Sequence, residues 1–321
     1  MTQYIIRRIL QGFLAIFVVS VIIFLLIRVA PGDVALMVIS QGEEDFNRED
    51  VDPIVLERVE RLLGLDRPLY MQYLVWARDM IILDWKASFY TSKPIMEEFS
   101  ERAPVTLQLG IYSVVLSVII GLPIGIMMAL KQDEWMDYVG RIVSLAGLSM
   151  PNFWLATLLI AGGVYFFDWS PRLQFEHPWE NLAGNISILF WPAVIGGFAS
   201  AATKARMMRS TMLEVLRQDY VRTAHAKGLR YSVVVYRHAM KNALLPVVTI
   251  IGISAAVIIG GSVITETIFN LPGIGIYVVR GMNQRDFPVV QSMVCIIAAW
   301  IIFVNLAVDV TYAWLDPRIR Y

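Results

Sequence analysis

Long apolar runs constrain this chain more than any other feature. The stretch "ILQGFLAIFVVSVIIFLLIRVA", residues 9–30, is one of them. A helix of about 20 such residues crosses the ~30 Å hydrocarbon core of a bilayer at ~1.5 Å per residue. Five further runs follow, near 105–130, 138–167, 186–202, 243–264 and 289–314. Charged residues supply only 17% of the chain, against about 25% in soluble domains. The expectation is an all-α integral membrane protein with six transmembrane helices. The first run is too long for a signal-peptide core, and no small-x-small site precedes "PGD", so it reads as a retained span.

A net charge of zero hides an asymmetry that orients the spans. The connection 204–242 carries nine Lys and Arg against two acids, a net +7. The connection 31–103 carries eight basic and fifteen acidic residues, a net −7. Basic residues near span ends stay in the cytoplasm. With six spans, the N-terminus with Arg7 and Arg8, the basic connection and the tail 316–321, "DPRIRY", all fall on that side. The acidic connection then forms an extracytoplasmic insertion. Within it, "DPIVLERVERLLGL" has helical apolar spacing, with Asp52 as N-cap, Pro53 in the first turn and Gly64 as terminator. "RPLYMQYLVWARDMIILDW" reads as a second helix, and "QGEEDFNREDVD" as an acidic loop. The organisation is therefore 1–30 as N-terminal segment and first span, 31–103 as helical insertion, 104–315 as membrane core, and 316–321 as tail.

The motifs of enzymes are missing from the sequence. There is no GxxxxGK[ST] to cradle phosphates, no HExxH, no GxSxG and no paired cysteines. The single Cys295 lies in an apolar run and reads as a small hydrophobe, and His177, His225 and His238 are far apart. No catalytic residue, metal site, cofactor or nucleic-acid partner is expected. Ionisable groups inside spans are functional candidates by default. Asp309 with Asn305 one turn earlier makes a polar stripe on the sixth span, open to a structural or a pathway role. Glu266, at the outer end of the fifth span, faces either a pore mouth or water. Arg28 can snorkel to the surface.

The basic connection has a pattern beyond its sign. "STMLEVLRQDYVRTAHAKG" reads as a helix closed by Gly228, and "YSVVVYRHAMKNA" as a second helix leading into the fifth span. Such a knuckle is a docking surface for a cytoplasmic protein. The stretch "DYVRTAHAKGLRYSVVVYRHAMKNALLP" resembles the EAA loop of binding-protein-dependent ABC importer permeases, within the peptide/nickel family. Further stretches carry the resemblance: "RRIL" at 7–10, "RVAPGD" at 28–33, "GLDRPLYMQYLVW" at 64–76, "LSMPNFW" at 148–154 and "LPGIGIYVVRGMNQRDFPVVQ" at 271–291. Together they look like the B-type subunit of a dipeptide or oligopeptide permease. Gly228 matches the glycine of the general EAA pattern, while of the triplet at Arg222, Thr223 and Ala224 only the last residue matches.

The resemblance implies the type I ABC importer permease fold in the cell membrane of a prokaryote. It implies a second homologous permease subunit of C type, two ATPase subunits holding ATP and magnesium, and an external substrate-binding protein. Asp219, Tyr220, Arg222, Thr223, Ala224, Lys227 and Gly228 would couple to the ATPase. Peptides are the implied cargo, with nickel chelates or oligosaccharides as alternatives within the class. An ion-driven secondary transporter, a membrane-embedded enzyme and a structural scaffold are the readings from other classes. The first of these would call for inverted repeats and more buried carboxylates.

Overall fold

The computed structural model describes residues 2–29, 34–39, 51–62, 64–172 and 174–315. Among them helices prevail, and an isolated bridge between Ala87 and Pro94 is the sole strand-like feature. A bilayer imposes this outcome, because a spanning helix satisfies its backbone N–H and C=O groups internally. In chain order the helices begin with α1 (Thr2–Val29), α2 (Val34–Ile39), α3 (Pro53–Leu62) and α4 (Leu69–Ile81). Next come α5 (Ile95–Leu130), α6 (Trp135–Ser149), α7 (Asn152–Phe167), α8 (Leu182–Leu216) and α9 (Asp219–Ala226). One continuous rod follows, made of α10 (Tyr231–Val233), a π-helical turn at Val234–Ala239 and α11 (Met240–Ala256). The chain ends through α12 (Ile258–Gly261), α13 (Val263–Ile268), α14 (Ile274–Asn283) and α15 (Phe287–Leu315).

Five stretches are long and apolar enough to cross a membrane: Ile6–Leu25, α5, α8, Tyr231–Ala256 and Phe287–Val308. The expected third span at 138–167 is two helices, α6 and α7, bent by 103° across their junction. Counted as one broken span, the pair brings the total to six. Pro151 causes the break. It lacks an N–H and drives the residue before it out of the helical region. Met150 is accordingly extended, with φ −90° and ψ 123°.

Two expected boundaries move. Helix α5 starts at Ile95, ahead of the apolar run at 105. Helix α8 runs to Leu216 instead of ending near residue 202. Its polar extension stays helical because Met208 and Met212 are fully buried with Ala129, Val235, Ala239, Ala243 and Val247. The basic connection therefore leaves the helix only at Arg217.

The chain divides into two compact units. The first comprises 105–275 and the chain from 304 onward. Its main core gathers Val105, Leu109, Ala156, Leu189, Ala193, Phe269 and Leu271. Asp137, wholly buried at the start of α6, accepts two 2.7 Å bonds from Arg209 of α8 and lies 3.1 Å from Arg141. The bidentate fork is the strong geometry for such a pair, and it fastens α6 to α8.

The second unit comprises 2–104 and 276–303. Phe24 of α1 meets Tyr73 edge-on at 5.5 Å and Trp76 of α4 at 5.7 Å, and Ser20 shares a 2.9 Å bond with Tyr73. Helix α3 is built as its sequence prescribes. The Asp52 carboxylate accepts the Ile54 N–H at 2.9 Å, Pro53 opens the helix, and Gly64 follows it at φ +66°. Asp286 accepts bonds from the Ser88 hydroxyl and the Phe89 N–H. The Arg102 guanidinium lies 4.7 Å from the centre of the Tyr277 ring. Burial, with the Glu98 and Asp286 carboxylates, pushes the Tyr277 hydroxyl well above the usual phenol range, while Arg102 opposes them. The acidic tract at 41–50 and the tail 316–321 lie outside the described residues.

Candidate functional site

Between α8 and the Tyr231–Ala256 rod the chain folds into a small knuckle around α9. Its foundation is apolar: Val221, Ala224 and Val234 are buried together, with Val215 and Leu216 packed against them. The helix ends in a Schellman closure. Gly228 N–H donates to the His225 carbonyl at 2.9 Å, and Leu229 N–H reaches the Ala224 carbonyl at 3.4 Å. That closure needs the left-handed backbone, and Gly228 has φ +75° with nothing within 4 Å of where a Cβ would stand. The glycine is thus required by conformation, not by crowding.

The remaining residues of the segment face outward. Asp219, Tyr220, Arg222, Thr223, Lys227 and Gly228 are all exposed. Arg222 stands 3.5 Å from Asp219, in an ion pair too exposed to hold much energy. Thr223 Oγ1 bonds back to the Asp219 carbonyl at 2.9 Å, and Tyr220 Oη accepts from Asn242 at 2.7 Å. Ala224 departs from the expectation of a partner contact. It is buried beneath the helix because its small side chain packs against Val221 and Val234, so it seats the segment from below. The result is a cationic, partly aromatic tip between two long helices.

The three pathway candidates separate. Glu266 is wholly buried and faces neither water nor the mouth of a pore. One of its carboxylate oxygens accepts from Thr106 Oγ1 and from Ser262 Oγ, each at 2.7 Å. Thr106 Oγ1 in turn accepts the Ile274 N–H at 2.8 Å. A Cβ on Gly273 would fall on the same carboxylate, so a side chain there would have to push Glu266 away from its hydroxyl partners. Asn305 is exposed on α15. The side chain of Asp309 lies outside the described residues.

Two features were hidden from sequence reading. The first is the Asp137–Arg209 clamp, whose partners are 72 residues apart. The second is Lys204, which counts by sequence as the opening charge of a solvated connection. It is fully buried within α8, where Nζ donates to Ser200 Oγ and, at 3.0 Å, to Ser254 Oγ of α11. Both serines line a cavity of about 290 Å³, together with Ser113, Asn152, Gly196 and Thr265 among others. The signal that could have exposed Lys204 is the helical spacing of Lys204, Met208 and Met212, which puts all three on one face. Among the described residues there is no cluster of three or more potential metal ligands.

Comparison with known proteins adds an independent finding. Residues 121–321 match the family described as "Binding-protein-dependent transport system inner membrane component", and residues 1–110 match its N-terminal companion. The chain is 36% identical to the dipeptide transport system permease protein DppB of Alkalihalophilus pseudofirmus over 345 aligned positions, covering all of both chains. It is 36% identical to the glutathione transport system permease protein GsiC of Escherichia coli over 321 positions, again covering both completely. A putative peptide transport system permease protein of Brucella abortus is 35% identical over 321 positions and is likewise covered in full.

Proposed function

Because the chain belongs to the family of binding-protein-dependent transport system inner membrane components, we propose that it forms half of the pathway of an ATP-driven peptide importer. In this reading a second, homologous permease subunit completes the pathway. Two ATPase subunits bind ATP and magnesium on the cytoplasmic side, and an external binding protein delivers a di- or oligopeptide. The names of the relatives favour peptides over nickel chelates or oligosaccharides. The +7 charge of 204–242 supports a cytoplasmic knuckle, with both termini on the same side.

The observation that carries the proposal is the knuckle itself. A helix of eight residues with an exposed outer face, closed at Gly228, stands between two helices long and apolar enough to cross a membrane. A push or pull on α9 reaches α8 and the Tyr231–Ala256 rod through Val221, Ala224 and Val234, because packed side chains transmit displacement. Such a joint couples a partner's cycle to the membrane helices. The chain's own part is to present the tip, hold its shape and move its spans, while hydrolysis belongs to the ATPase.

The decisive variant is Gly228→Pro. Proline cannot adopt φ +75° and has no N–H for the His225 carbonyl, so the closure opens. Reconstituted with its partners in proteoliposomes, the variant should retain ATP hydrolysis and lose at least tenfold in peptide uptake, with the membrane helices intact by circular dichroism. Normal uptake by an assembled variant would overturn the assignment of the segment. Absence of ATP-dependent peptide uptake by the unaltered complex would overturn the function.

A further inference from the structure

Lys204 presents a problem of charge. Its side chain is fully buried, yet among the described residues no carboxylate lies within ion-pair distance. A buried ammonium without an anion is costly, and such groups in spans are paired or functional. The ammonium has three donors; two meet Ser200 and Ser254. Ser254 gives its own proton to the Ile250 carbonyl at 2.7 Å. The Ser200 hydroxyl, 3.1 Å from Ser254, is therefore the one whose proton can turn toward the cavity.

The cavity beyond the two serines is suited to a guest. Hydroxyls and an amide stand in its walls, at Ser113, Asn152, Ser262 and Thr265, and Gly110, Gly196 and Gly197 complete the lining, where they let neighbouring helices approach closely. Ser200 and Ser254 belong to its lining, and Lys204 stands behind them, bonded to both hydroxyls. Donors backed by a positive charge select an acceptor that is negative, and they repel a cation. We propose that Lys204, acting through the Ser200 hydroxyl, is the recognition point for the C-terminal carboxylate of a peptide in transit. The proposal rests on the peptide-importer reading and gives it a specific contact. The carboxylate supplies the missing countercharge, and the small residues of the cavity accommodate varied side chains behind it.

Trialanine and its C-terminal amide test the contact, because they differ only at that carboxylate. Binding of each is measured to the assembled transporter in nanodiscs, without binding protein. The unaltered complex should bind trialanine about tenfold more tightly than Lys204→Met does, the scale of one charge-assisted bond. Both should bind the amide equally. Ser200→Ala should weaken trialanine in the same direction by a smaller factor, and it decides the matter alone if Lys204→Met does not assemble. Equal trialanine binding with and without Lys204, an equal loss for the amide, or no binding to the unaltered complex would overturn the proposal. ATP-dependent uptake is measured separately: discrimination in binding without uptake would overturn the importer reading and leave the carboxylate site standing.

Discussion

Glu266 and Lys204 are both fully buried in the same compact unit, and they are held in opposite ways. Glu266 accepts bonds from the Thr106 hydroxyl of α5 and from the Ser262 hydroxyl just before α13, and it is roofed by Gly273. Lys204 donates to two hydroxyls that line a cavity and, among the described residues, has no carboxylate beside it. The first arrangement ties α5 to α13 and to the turn at 271–275, and nothing could enter it. The second leaves an electrostatic need that a visitor can meet. Burial alone therefore does not separate structural charge from functional charge; what the charge faces does.

The contrast can be broken most forcefully at Glu266. Glu266→Ala leaves the Thr106 and Ser262 hydroxyls without that acceptor and opens a void, which should cost about 3 kcal/mol. Thermal unfolding of the purified chain in detergent checks this. A variant that unfolds at the same temperature as the parent yet fails to transport would move Glu266 into the functional class. Gly273→Ala should cost about 2 kcal/mol by forcing the carboxylate aside, since the added methyl overpacks a closed site.

Finer distinctions come from near-isosteric changes. Both hydroxyls donate to the same oxygen of Glu266. Glu266→Gln keeps one acceptor oxygen and should lose at most about 1 kcal/mol in the same unfolding assay. A much larger loss would show that the negative charge, and not the bonding pattern, holds the turn. Lys204→Met should change stability least, near zero or slightly upward, because an unpaired buried charge gives way to an apolar chain of similar length. If that variant unfolds as readily as Glu266→Ala, Lys204 is architecture after all.

The sequence made local features legible and left long-range ones dark. Asp52, Pro53 and Gly64 bracket α3 because capping chemistry acts within a few residues. Gly228 closes α9 for the same reason, and the tip residues from Asp219 to Lys227 could be placed on it in advance. The third run reads as one span by hydropathy, whereas the structure bends it by 103° at Pro151, an angle that composition does not carry. Lys204 was misplaced because hydropathy ends a span at its first charges, whereas α8 continues on the packing of Met208 and Met212. Glu266 could not be read at all, since its setting depends on Thr106, 160 residues away. The same distance hid the partner of Asp137.

The π-helical turn at Val234–Ala239 carries a consequence of its own. Each π turn fits one residue more than α-helical winding would use. Everything on the N-terminal side of it is thereby set back in phase by about 100°, the angle that one residue subtends on a helix. Val234 and Val235 are both buried at that point, while Tyr236 between them and Arg237 stands exposed. The direction in which the α9 tip points is thus written as a surplus of one position within the rod. Deleting Tyr236 would return the rod to uniform winding and turn the tip around its axis. A chain with every tip residue retained would then address its neighbour with the wrong face.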